Sequence, residues 1–234
     1  MKLTRPIAIG TTVYHGTYAR SFRTLRGPAW VTSSARLALT VARVLGEGRG
    51  EPRVLAFKVL VPPLLLLRES DSSDASIADW LSEETGEQVD PDQDSLVAAT
   101  CSICDGWIVA SAYDDAGEVL LCDPMSFLEY EGDVVWAYHA TDRRGAAGIR
   151  RRGLELRNAS SQRGETRGVR GRAVFFSPTP ALASVWGDVI FRFPWPEDAQ
   201  EDPYSDATMV DGEVVATNWY SRRPISTKHL IEEK

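Results

Sequence analysis

The chain has 234 residues, 43% hydrophobic and 25% charged, with three cysteines and a formal net charge of −7. That balance excludes wholesale disorder, collagen-like repeats and a coiled coil, and the acidic total argues against a generic nucleic-acid binder. The longest apolar run, residues 59–67, is interrupted by Pro62 and Pro63 and is too short to cross a bilayer, and residues 1–9 lack a signal-peptide core, so no membrane association is expected.

Along the chain, Val13-Tyr14-His15-Gly16-Thr17 has the β-branched and aromatic content of a strand. Ala29-Trp30-Val31-Thr32-Ser33-Ser34 follows, then Leu37-Ala38, and then an apolar strand over 54–61. Residues 69–94 carry ten acids and no Lys or Arg, with a helix expected around 77–84. Cys101 and Cys104 have metal-knuckle spacing without a second pair, so no metal is expected. Three cysteines make no disulfide framework, which points to buried free thiols and a cytoplasmic location. Gly117-Glu118-Val119-Leu120-Leu121 closes this half.

The second half repeats the order. Ala137-Tyr138-His139-Ala140-Thr141 reads as a strand, and 143–151 as a helix with Gly153 at its C-terminal cap. Residues 158–171 form a Gly-, Ser- and Arg-rich loop, 171–177 a strand, 179–186 a short helix and 188–193 another strand. Gly212-Glu213-Val214-Val215-Ala216 ends the series. Val174-Phe175-Phe176-Ser177-Pro178-Thr179 stands before Leu182-Ala183 at the offset that Ala29–Ser34 keeps from Leu37-Ala38. Four features in one order predict two homologous domains, 1–132 and 133–234, of α+β class. Residues 140–173 hold ten Arg against three acids; they form either a solvated face or a surface for a phosphate-bearing ligand.

A strand with His-x-Thr, a helix running into Gly-Leu, and Gly-x-x-x-Phe-Phe-Ser before a small helix are followed by a strand with Glu. This series resembles the ADP-ribosyltransferase fold. The second half carries it as His139, Thr141, Ile149, Gly153-Leu154, Gly171, Phe175-Phe176-Ser177 and Glu213, with Pro224-Ile225 and Leu230 in the tail. The first half resembles compact bacterial and phage members through Tyr14-His15-Gly16-Thr17, Trp30-Val31-Thr32-Ser33-Ser34, Asp105-Gly106-Trp107 and Glu118–Pro124.

The resemblance implies two tandem domains, each of two small packed antiparallel sheets around a cleft, that use NAD as substrate. Cleaving the nicotinamide–ribose bond develops oxocarbenium character, which a carboxylate stabilises; Glu118 and Glu213 take that role by resemblance. His15 and His139 are implied at the ribose. Tyr14, Gly16, Thr17, Thr32 and Ser33 are the implied NAD contacts of the first half. Tyr138, Ala140, Thr141, Phe176, Ser177 and Trp186 are those of the second, with Phe176 or Trp186 stacking on nicotinamide. The acceptor is left open, a protein or nucleic acid met by the Arg-rich 143–172 region. The second half is the expected working copy. An NAD glycohydrolase, an RNA 2′-phosphotransferase-like enzyme and a catalytically silent binding module are the alternatives.

Overall fold

β-Branched and aromatic runs between turn formers set the strands, and side-chain caps set the helix starts. The computed structural model describes residues 1–18, 23–45, 51–68, 72–109, 117–158, 171–202, 207–210, 213–216 and 218–233. It divides into two units, Met1–Asp133 and Val134–Lys234. No helix among these residues is long and apolar enough to cross a membrane.

The first unit runs β1 (Lys2–Thr4), β2 (Thr12–Thr17), β3 (Ala29–Thr32), α1 (Ala35–Leu45), β4 (Arg53–Val59) and β5 (Leu65–Leu67). It continues with α2 (Asp74–Thr85), α3 (Gln93–Ile103), β6 (Gly106–Val109), β7 (Glu118–Leu121) and β8 (Leu128–Asp133). The strands hydrogen-bond in the order β1-β5-β6-β7-β3-β2-β4-β8, antiparallel except for β5 with β6. This is one ladder rather than the two separate sheets expected. Its join is narrow, however: β2 and β3 share the single pair Tyr14↔Thr32, whereas β2 and β4 pair over six residues, Thr12 to Thr17.

Two apolar clusters hold this unit. Val13, Leu55, Phe57, Leu65 and Leu121 form one; Leu66, Ile77, Leu81, Leu96, Trp107 and Leu120 form the other, where α2 and α3 pack on the strands. Burying such a side chain contributes about 1.5–3 kcal/mol. The acidic stretch 69–94 thus contributes Ile77, Ala78 and Leu81 to the core through α2, and Leu96 follows it on α3. Ser73 caps α2 through the Ser76 N–H, Asp92 caps α3 through the N–H groups of Asp94 and Ser95, and Gly86 ends α2 with φ of 73°.

Cys101 and Cys122 are disulfide-bonded, joining α3 to the residue after β7, and Cys104 is the free thiol. The expectation of free thiols throughout is therefore corrected. The Cys101–Cys104 spacing drew the eye to the wrong pair, because both lie at one end of α3 while the chain returns through β7 to bring Cys122 beside Cys101. With that bond present, the cysteine count no longer argues for a reducing compartment.

The second unit runs β9 (Trp136–Thr141), α4 (Arg143–Arg152), β10 (Arg157–Asn158), β11 (Arg172–Phe176), α5 (Pro180–Ala183) and β12 (Val189–Pro194). Then come β13 (Gln200–Glu201), β14 (Ala207–Val210), β15 (Glu213–Ala216), β16 (Trp219–Ser221) and β17 (Ile231–Glu232). The described strands form sheets in the orders β10-β11-β16-β13, β17-β12-β9 and β14-β15. Ala137, Ile149, Val174, Phe176, Phe191 and Phe193 form the core. The Arg-rich loop lies, apart from its ends, outside the described residues.

Candidate functional site

In both units the strand bearing the histidine meets its neighbour at one residue pair and then parts from it. In the first, that pair is Tyr14↔Thr32; in the second it is the bridge Tyr138↔Ser177. Continued pairing would bring the Trp30 carbonyl to the Gly16 N–H, and the Phe175 carbonyl to that of Ala140. A backbone acceptor needs a donor when buried, and the imidazole supplies it. His15 Nδ1 donates to the Trp30 carbonyl at 2.7 Å, and His139 Nδ1 to the Phe175 carbonyl at 2.8 Å. Since a carbonyl only accepts, Nδ1 carries the proton in the neutral ring and Nε2 is left the lone pair. Burial pushes both histidines below the ordinary imidazole range, against the opposing pull of each carbonyl bond; the Arg157 charge lowers His139 further.

The repeat extends to the following helix. Ser34 Oγ accepts from the Leu37 N–H at 3.0 Å and Thr179 Oγ1 from the Leu182 N–H at 3.3 Å, so equivalent residues cap α1 and α5. Behind the carbonyl-bearing aromatic stands a second ring in each unit. Trp30 and Trp107 lie 6.1 Å apart at 47°, and Phe175 and Tyr220 lie 6.1 Å apart at 44°.

The cavities beside the two histidines differ. In the first unit His15, Trp30, Thr32, Arg26 and Glu118 share the lining of a cavity of about 360 Å³, whose other walls include Leu25, Val41 and Leu45. This is the profile of a ligand pocket, apolar walls with a few convergent polar groups. Thr32 is 4% exposed, and its hydroxyl donates to the Gly117 carbonyl at 2.9 Å while accepting from the Ser34 N–H at 3.1 Å. It therefore holds Gly117, the residue before Glu118, and Thr32 also pairs with Glu118 across β3 and β7. A Cβ on Gly16 would collide with the Ala38 carbonyl, so glycine there lets β2 lie against α1. Tyr14 is buried, and Thr17 and Ser33 are half-buried.

In the second unit His139, Thr141, Arg152, Glu155, Arg157 and Phe175 line a cavity of about 40 Å³. Two glycines of the ten-residue helix α4 serve this wall. A Cβ on Gly145 would strike the Thr141 hydroxyl, and one on Gly148 would sit 3.2 Å from the Arg152 guanidinium. Glycine inside a helix costs about 1 kcal/mol against alanine, so α4 gives up stability where it admits these two polar groups. Arg152 Nε donates to Glu155 at 2.9 Å, while Arg150 makes a bidentate pair with Glu232 elsewhere on the helix.

The residues inferred from sequence separate accordingly. His15, Thr32, Tyr14, Gly16 and Glu118 meet at one cavity. Glu213 opens β15, which pairs with β14; its side chain lies outside the described residues. Phe176 is 3% exposed and meets Phe193 and Trp195 edge-on, which makes it a core ring rather than a stacking surface. Ser177 and Ala140 are buried, Tyr138 is half-buried, and Trp186 is exposed in a 3-10 turn. Sequence reasoning passed over Arg26 and Phe175. The offset that equates Trp30 with Phe175 carried the signal for the latter. Among the described residues, no group of three or more His, Cys, Asp or Glu is placed to hold a metal. Comparison of the chain with protein-family models, curated proteins and solved structures finds no match.

Proposed function

We propose that the first unit cleaves the nicotinamide–ribose bond of NAD and transfers ADP-ribose to an acceptor. The observation that carries the reading is the convergence of His15, Thr32 and Glu118, from three separate strands, on one cavity of about 360 Å³. Glu118 supplies negative charge to the ribose as the bond to nicotinamide lengthens and C1′ becomes cationic. His15, held by Nδ1, offers Nε2 as an acceptor for a ribose hydroxyl. Nicotinamide leaves with the bonding pair, and the acceptor's lone pair closes the new bond to C1′ as the acceptor's proton passes to solvent.

The second unit is the silent copy in this reading. The small volume beside His139, about 40 Å³, favours a binding role there over the working role its sequence suggested. The test is nicotinamide release from NAD by the purified full chain, alone and with pools of protein, single-stranded DNA and RNA. Release that depends on Glu118 supports the proposal. Tight nucleotide binding without release under any of these conditions overturns it in favour of a silent module.

A further inference from the structure

The second unit's cavity has a chemistry of its own. Its volume of about 40 Å³ holds roughly three waters, the footprint of one tetrahedral oxyanion and too little for an aromatic ring. Arg152 and Arg157 line it together with Thr141 and His139, and Glu155 is the one acid among its described lining residues. Guanidinium forks match the oxygens of a phosphate, and a dianion balances two cations where a carboxylate balances one. The glycines of α4 are the second, independent observation. Gly148 itself lines the cavity and leaves space for the Arg152 guanidinium, and Gly145 leaves space for the hydroxyl of Thr141, another lining residue. The Arg152–Glu155 pair is exposed and three residues apart on the chain, a kind that contributes little and yields readily to a competing anion.

We infer that the second unit binds a phosphate monoester beside His139, with Arg152 and Arg157 as its cations and Thr141 as a neutral donor. The phosphate displaces Glu155 from Arg152 and leaves the His139–Phe175 bond in place. This site is independent of NAD cleavage in the first unit, and its readout is binding rather than turnover.

The experiment is calorimetric titration of the full chain with inorganic phosphate, AMP and adenosine, repeated on four variants. Phosphate and AMP are expected to bind and adenosine not to, which separates the phosphate from the nucleoside that can accompany it. Arg157→Gln and Arg152→Gln should each weaken phosphate binding about tenfold or more, the loss expected for a hydrogen bond to a charged group. Glu155→Gln should strengthen it by freeing Arg152. Gly148→Ala should weaken it while raising the melting temperature, a pairing of effects that misfolding cannot produce. Absence of phosphate binding, or binding equal in wild type and both arginine variants, overturns the inference.

Discussion

The two units share a histidine device and differ in what surrounds it. In each, a ring nitrogen completes a strand pairing that the backbone abandons, and a second aromatic backs the residue whose carbonyl is held. The first unit opens this junction into an apolar cavity with Glu118 at its wall; the second closes it to a small one lined by arginine. The lesson is that the histidine is a structural element of the repeat before it is anything chemical. What surrounds it differs between the units through the residues that later elements deliver beside it.

The most severe test of that division is at the carboxylates. Under the proposed reading, Glu118→Gln lowers nicotinamide release about 10²–10³-fold, the usual loss for removing an electrostatic partner of a transition state. Glu213→Gln leaves release near wild type. Equal losses in both variants would mean that the copies work together, and a loss confined to Glu213→Gln would return the reaction to the second unit.

The disulfide separates the units next. It closes a loop between residues 21 apart in the first unit only, and such a loop contributes about 3 kcal/mol in the chain-entropy model. Cys101→Ser with Cys122→Ser should lower the melting of the first unit and leave that of the second unchanged. Calorimetry with resolved transitions checks this; an equal shift in both would show that the units unfold as one.

A smaller effect is expected at Thr32. Thr32→Val keeps the shape but removes the hydroxyl between the Gly117 carbonyl and the Ser34 N–H. Leaving buried groups unpaired costs about 1–3 kcal/mol. Because the Gly117 carbonyl belongs to the residue before Glu118, nicotinamide release should fall more than the loss of stability explains. Stability lost with release intact would make Thr32 a structural residue only.

How much of this was legible follows from which signals are local. The order of strands and helices was, because strand composition and caps are local: α4 runs Arg143–Arg152 and ends at Gly153, as the sequence indicates. The junction was legible only in part. Tyr-His followed by Trp or Phe and then Thr or Ser marks equivalent positions, yet nothing in the letters says that the histidine serves a carbonyl one strand away. Phe175 and Phe176 illustrate the limit. Successive strand residues face opposite ways, so one ring of the pair had to be core, and only the packing against Phe193 and Trp195 identifies it as Phe176. The disulfide was hidden for the same reason, its partners being joined by sheet order and not by spacing. The helix over 93–103 escaped because its apolar face is narrow, with Leu96 and Thr100 buried on it.

The smallest predicted effect tests the shared feature itself. Burial lowers both His15 and His139 below the ordinary imidazole value of about 6.5. The unfolded chain therefore takes up protons, as pH falls through that value, that the folded chain still refuses. Stability is complete above about pH 6.5 and declines as pH falls below it, since it drops with acidity wherever the unfolded state binds more protons. The carboxylates held down by partners, Asp133 by Arg53 and Tyr130 against the opposing effect of burial, and Glu232 by Arg150, lose their contribution further into acid. Denaturant melts between about pH 7 and pH 5.5 thus isolate the imidazoles. Asparagine can offer an amide N–H near the place of Nδ1, so His15→Asn and His139→Asn keep a donor for the Trp30 and Phe175 carbonyls while removing the titration. Each should flatten the slope in its own unit, and the double variant should flatten both. A slope unchanged by either substitution would mean that the rings protonate as freely in the folded state as in the unfolded one. The junction would then be open to water, and the imidazoles would not be shielded by the strands that they join.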